Sequence, residues 1–216
     1  MPLPETRAQN VPWNERAGVS AHDQLPRVNG SLPDILGRTP TTDEIVQWAA
    51  CKHGLDPNLA RAQAMQESGW QVDRAYGDFS YDPAHCHPDY PIGWDPPEIE
   101  FNPPDSCPES FGLTQVRYRF DAAAFENDNA ILSTAYNADY AWGLWRLCFN
   151  GPGSGNPLDF AWLNTVERGS QYAAGDALGC MGVWYSGRWH TAAANDYIAR
   201  VHAIYLNKSW PGTGGK

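Results

Sequence analysis

The sequence has no cluster of lysines and arginines. Its 15 basic residues face 25 acidic ones, for a formal net charge of -10. Nucleic-acid binding by phosphate neutralisation needs a basic face, so that class is excluded. Docking by charge onto an anionic membrane is excluded on the same ground. No apolar run approaches the roughly 18–20 residues of a membrane span, so no membrane insertion is expected. The opening MPLPETRAQN also lacks the apolar segment of a signal peptide. Export through a leader outside this sequence, or release on lysis, is the expected route out of the cell. Charge of either sign is scarce, at 19%, so polarity comes from Asn, Ser, Thr, Gln, Gly and Pro. No internal repeat or low-complexity tract is present.

What is there suits one domain with residues to spare: 216 residues, 42% of them hydrophobic. Twenty glycines and 18 prolines imply much irregular backbone. Ten tryptophans and ten tyrosines serve a core, and their flat faces also stack on sugar rings. Five cysteines are an odd number. Cys86 and Cys107 bracket a Pro-rich stretch that a disulfide would restrain, and Cys148 with Cys180 is the second candidate pair. Cys51 is then expected as a buried free thiol. Such pairing presumes an oxidising, extracytoplasmic compartment, secreted or in the cell envelope. His85-Cys86-His87 lacks a second matching cluster, so no metal and no cofactor are expected.

Residues 1–40 hold six prolines and no sustained apolar periodicity, and read as an extended arm lying on the domain or partly free. Thr41-Thr42-Asp43-Glu44 starts a helix, with hydroxyl caps and acidic first-turn residues. Ile45, Trp48, Ala49 and the stem of Lys52 make its apolar stripe, and Gly54 ends it. Asp56-Pro57 opens the next helix, which stops near Gly69. Residues 76–110 carry eight prolines, eight acids and no Lys or Arg, and read as a long functional or stapled insertion. Helical spacing resumes over 128–148 and is expected again around 158–168, 172–185 and from Thr191 onward. Residues 210–216 form a tail. The expected fold is mainly α, with weak strand candidates inside the insertion.

Glu67 ends the second helix. Leu59, Ala60, Gln63 and Ala64 share its face, which is small and largely apolar, while Arg61 lies well round the helix. Burial and the negative end of the helix dipole are both expected to push the Glu67 carboxyl upward. An acid that stays protonated near neutral pH suits protonation of a glycosidic oxygen.

The string Ala64-Met65-Gln66-Glu67-Ser68-Gly69-Trp70 resembles the Glu-Ser-Gly core of the soluble lytic transglycosylase and goose-type lysozyme family. Phe111-Gly112-Leu113-Thr114-Gln115-Val116 resembles its Gly-Leu-Met-Gln-Ile segment, with Thr114 where the family has Met. Trp184-Tyr185-Ser186-Gly187 is similar to a divergent form of its Ala-Tyr-Asn-Ala-Gly segment, and Tyr197, Val201 and Tyr205 resemble its closing helix. Ala135-Tyr136-Asn137-Ala138-Asp139 copies the third segment almost by letter, but falls mid-helix and fits the family's intermediate helix, with Tyr140 facing the core or cleft. Tyr136 stays open as the true match.

The resemblance implies a lysozyme-like helical domain over 41–209, with a cleft for a peptidoglycan or chitin-like glycan strand and a monomeric state. Glu67 takes the acid's place. Ser68 contacts the substrate or steers the carboxyl, Gly112 lets backbone approach a sugar, and Leu113, Thr114, Gln115, Tyr140 and Trp184 line the cleft. Tyr185 is the expected phenol beside Glu67. One glutamate acting as acid and then base gives 1,6-anhydro ends. Hydrolysis needs a second carboxylate, for which Asp78 and Asp82 are nearest and Asp89 and Asp95 further candidates. A non-catalytic glycan-binding or structural module is the alternative from another class.

Overall fold

Where it is described, the N-terminal segment has no regular structure before Ala8, and Arg7 is extended. It forms a 3-10 turn at Ala8–Asn10 and then a one-turn helix, α1, Val11–Asn14, with Pro12 in its first turn. Asn10 and Asn14 are buried. Their amides donate to the Thr42 hydroxyl at 3.0 and 3.1 Å, and the Glu5 carboxylate accepts from the Thr42 N–H at 2.9 Å. A buried amide must be hydrogen-bonded, and these bonds dock the segment on the next helix. The computed structural model describes residues 3–15, 38–73, 75, 77–94, 103–151 and 171–211. The rest of the expected arm, and the helix expected at 158–168, lie outside the described residues.

Over the described residues the chain is mainly helical, and each long helix starts at a side-chain cap. Thr41 forms a capping box with Glu44 ahead of α2, Thr42–His53, which ends on left-handed Gly54. Asp56 caps α3, Pro57–Ser68, by accepting from the Asn58 N–H at 2.8 Å. The strand candidates resolve into two short antiparallel pairs. β1, Phe79–Ser80, pairs with β2, Cys107–Pro108, with Ser80 opposite Cys107. β3, Ser110–Phe111, pairs with β4, Val116–Arg117, with Phe111 opposite Val116. Then come α4, Tyr118–Asp121, a 3-10 stretch Ala122–Asp128, and α5, Asn129–Leu132. The single helical stretch expected over 128–148 is broken at Ser133, whose hydroxyl accepts from the Tyr136 N–H at 3.1 Å and so caps α6, Thr134–Asn150. Asp176 and Thr191 cap α7, Ala177–Ser186, and α8, Ala192–Asn207. The helix expected from 172 therefore starts later, at its cap.

Helices α2, α3, α6, α7 and α8 enclose one core around Ile45, Trp70, Trp142, Leu147, Met181 and Tyr197. A second cluster, with Phe111, Val116, Phe125, Ile131, Tyr136 and Tyr140, joins the β3–β4 hairpin to α5 and the start of α6. Each large side chain buried contributes roughly 1.5–3 kcal/mol. Both expected disulfides are present: Cys86–Cys107 staples the acidic segment to β2, and Cys148–Cys180 ties α6 to α7. Cys51 corrects its expectation. It lies outside both disulfides and is exposed, because Ala50, Lys52 and His53 occupy the inward face of α2. Lys52 is buried whole, not by its stem alone, and its ammonium meets Asp139 on α6 at 2.5 Å. His53 reaches the same carboxylate at 2.7 Å, and all three side chains are at most 1% exposed. No helix of the described residues is long and apolar enough to cross a membrane.

Candidate active site

Helix α3 stops because Gly69 turns left-handed (φ 60°), and this leaves Glu67 half-buried in the last turn. The carboxylate opens on a groove of about 1130 Å³. The end of α3, the β3–β4 hairpin, α4, α6, α7 and the start of α8 line it. Arg61 plays no part there, since it pairs with Asp43 at 2.6 Å.

The phenol that reaches Glu67 is Tyr197 of α8, whose hydroxyl donates to Oε1. Tyr185, the expected partner, instead stacks parallel on Tyr197, with ring centroids 4.8 Å apart and planes 5° apart. α7 ends beside α8, so Tyr185 covers the buried ring and stays 52% exposed. Burial, and then the negative charge of Glu67, push the Tyr197 phenol well above its ordinary range. It stays neutral and keeps its proton to donate. The signal for Tyr197 was its place in the closing helix; its pairing with a residue 130 positions away had none.

The Gly112–Gln115 turn is held from behind. Asn137 of α6, buried, accepts from the Thr114 N–H at 2.9 Å and the Thr114 hydroxyl at 2.8 Å. Its amide donates to the Phe111 and Ala130 carbonyls, each at 2.9 Å. This corrects the expectations for Thr114 and Leu113. Thr114 is fully buried and turns its hydroxyl to Asn137, not to the groove. Leu113 is fully buried in the core. Gly112 (φ 77°) has no room for a side chain, since a Cβ there would lie 2.4 Å from the Asn137 amide nitrogen. Gln115 does line the groove, and its amide also braces the turn through the Gly112 carbonyl at 2.9 Å. Ser68 is buried and donates back to the Ala64 carbonyl at 3.1 Å, so it faces the helix and not a ligand. Trp184 lines the groove and donates its ring N–H to the Thr114 carbonyl at 3.0 Å. Tyr136, the alternative match, is buried in the second cluster and lines no part of the groove.

Two further carboxylates, Asp78 and Asp121, line the groove. Asp78 lines the groove and accepts from Arg117 at 2.8 Å and from the Ser110 hydroxyl at 2.8 Å. Asp82 does not line it, and caps the 3-10 turn Pro83–His85 by accepting from the Ala84 N–H at 3.0 Å. Asp89 is exposed outside it, and Asp95 lies outside the described residues. Asp121, at the end of α4, was missed by the sequence reading. It lines the groove and accepts from the Tyr140 hydroxyl at 2.6 Å. Burial lifts its carboxyl above the usual range, and the Tyr140 bond lowers it by less. Tyr140, also on the groove, is raised by burial and then by the charge of Asp121. Phe120 is 61% exposed on the same rim, with Arg119 5.1 Å and Arg117 5.6 Å from its ring centre.

The His85-Cys86-His87 string serves structure. Cys86 is in a disulfide. His85 lies 3.3 Å from Glu109. His87 is buried among Tyr90, Phe111, Tyr118 and Phe125. Among the described residues, no three His, Cys, Asp or Glu side chains are grouped to hold a metal ion. Comparison with known protein families, with curated proteins and with solved structures finds no match.

Proposed function

We propose that the chain cleaves β-1,4 bonds between N-acetylmuramic acid and N-acetylglucosamine in peptidoglycan, with Glu67 as its acid and then its base. The observation that carries this reading is one carboxyl, Glu67, half-buried on an open groove and held by a neutral, buried phenol. The exposed rings of Tyr185 and Phe120 flank the same groove. Aromatic faces of this kind suit sugar rings.

In the proposed reaction the Glu67 proton passes to the glycosidic oxygen as the bond from C1 to that oxygen breaks. The substrate's own N-acetyl oxygen bonds to C1 in its place. Glu67, now a carboxylate, takes the proton of the muramic acid 6-hydroxyl. That oxygen displaces the N-acetyl oxygen at C1, giving a 1,6-anhydro ring and an unchanged enzyme. The other carboxyls support a single-acid route over hydrolysis. Asp78 is engaged by Arg117 and Ser110, Asp82 is away from the groove, and burial favours the neutral form of Asp121. The two disulfides suit an oxidising compartment outside the cytoplasm, and the proposed unit of action is a monomer.

The test is Glu67→Gln, which keeps the shape and removes the proton. Turnover of purified peptidoglycan should fall about 10²–10⁴-fold with the melting temperature held. Mass spectrometry of wild-type products should show anhydro ends. Reducing ends that carry water would mean hydrolysis, cleavage confined to chitin oligomers would move the substrate, and activity retained in the variant would sink the assignment.

A further inference from the structure

Four consecutive residues, Phe120 to Ala123, line the groove where α4 runs into the 3-10 stretch. Successive residues of a helix point in different directions, so the groove follows the surface around this end of α4. Phe120, Ala122 and Ala123 are exposed. A single exposed phenylalanine is ordinary on a protein surface. This one stands beside a carboxyl that folding alone does not account for.

That carboxyl is Asp121, half-buried at the end of α4. Of the nearby cations, Arg117 is held by Asp78 and Glu109 at 2.8 and 2.7 Å, and Arg119 lies over the Phe120 ring. The Asp121 side chain takes one hydrogen bond among the described residues, from the Tyr140 hydroxyl to Oδ1 at 2.6 Å. Oδ2 takes none, and it is not one of the buried atoms without a partner, so it opens on the groove. A partly buried carboxyl without a cation costs folding free energy, and groups of this kind gather at functional sites. Burial holds its titration above the usual range. Tyr140 is 7% exposed on α6, so it fixes the Asp121 side chain before any ligand arrives. A few pre-set polar groups of this kind give a binding site its specificity. Ala122 and Ala123 have nothing beyond Cβ to fill the space beside it.

We infer that this end of α4 is a sugar subsite: one sugar ring stacks on Phe120, and its polar edge hydrogen-bonds to Asp121 Oδ2 while Tyr140 holds Oδ1. This rests on the reading of the groove as a glycan cleft. Tyr185 is the other exposed ring of the lining, and it stacks on Tyr197, the partner of Glu67. The two rings stand on different helices and have different partners, so they mark two ring positions on a bound strand. Asp121 is then a residue of substrate binding, not a second acid or base.

The probes are chitin oligomers of increasing length and peptidoglycan fragments. Affinity is measured by calorimetry in a Glu67→Gln background, and kcat and KM in the active enzyme. Phe120→Ala should weaken long oligomers about tenfold, on the scale of one ring contact, and the shortest by less than about twofold. Phe120→Trp keeps a flat face and should keep the affinity, whereas Phe120→Leu keeps only bulk and should not. All three should melt as the wild type does, because the position is exposed. Asp121→Ala should weaken long oligomers about tenfold, the value of one hydrogen bond, and raise KM with kcat within about threefold. Tyr140→Phe breaks the same tie to α6 but keeps the carboxyl, and should cost less than Asp121→Ala. Should Asp121→Ala not fold, the Phe120 series decides. Equal losses in Asp121→Ala and Tyr140→Phe would reduce Asp121 to a structural tie. A fall in kcat at constant KM would make it part of the chemistry. Losses independent of oligomer length, or confined to peptide-bearing fragments, would place no ring on α4. Each of these overturns the inference. If the wild type binds glycans in this pattern and cleaves none, the functional reading fails and the subsite stands. Cleavage with binding unmoved by Phe120→Ala is the reverse, and a wild type that binds no glycan overturns both.

Discussion

Replacing Asn137 with alanine removes four hydrogen bonds from a site that is 1% exposed. The Thr114 N–H loses its acceptor, and the Phe111 and Ala130 carbonyls lose a donor. The Thr114 hydroxyl keeps a weaker partner, the Asn137 carbonyl at 3.3 Å. A buried group left unsatisfied costs about 1–3 kcal/mol, and the turn will relax to recover part of it. The expected loss is about 3–5 kcal/mol, at the high end for a single substitution. For a domain of this size that lowers the melting temperature by roughly 6–20 °C. Urea unfolding followed by tryptophan fluorescence measures the loss directly. Asn137→Asp is the sharper control: it keeps an acceptor for Thr114 and, when ionised, offers no N–H to the two carbonyls. It should lose stability on a similar scale at neutral pH. A loss under about 1 kcal/mol in Asn137→Ala, or wild-type stability in Asn137→Asp, would refute the account of the turn.

Asp139→Asn leaves Lys52 charged and buried without its carboxylate, and should cost about 3–5 kcal/mol by denaturant titration. Burial pushes the Asp139 carboxyl up, but the bonds and charges of His53 and Lys52 outweigh it and hold it low. Its contribution is therefore present above the ordinary carboxylate range and lost as pH falls through the depressed value, so the gap to wild type should narrow in acid. Replacing Cys148 and Cys180, which are 32 positions apart, should cost about 3–4 kcal/mol on the chain-entropy account, read as a shift in denaturation midpoint. His190 bonds Asp176 and Asn195 at the starts of α7 and α8, and both bonds hold its imidazole above the usual range. That contribution is full below the ordinary histidine value and lost as pH rises through the raised one. The melting-temperature gap between wild type and His190→Gln should therefore shrink from pH 6 toward about pH 9, a range bracketing the ordinary histidine value; a constant gap would rule the clamp out.

The helices were legible where their signals are local. Thr41 with Glu44, Asp56-Pro57, Gly54, Gly69 and Thr191 each act within a few residues, and each marks an observed helix end. Ser133 and Asp176 were equally local caps, and the apolar spacing around them hid the break and the late start. Glu67 could be singled out because its helix and neighbours are contiguous in sequence. Tyr197, Asp121 and Asn137 could not be given their roles, because each acts on a partner distant in sequence and brought near only by helix packing. Asn137 was hidden further by lying inside a string that looked like a displaced substrate motif.

Trp184 lends the groove a built-in optical probe. Its indole is fixed at one end to the Thr114 carbonyl and lines the groove, while Trp70 and Trp142 are sealed in the core. A sugar ring that displaces water from the groove would alter the emission of Trp184 and of Trp145, its neighbour on the lining, and leave the sealed indoles dark to the event. Binding of an uncleavable oligosaccharide is then measurable on unlabelled protein, separately from turnover.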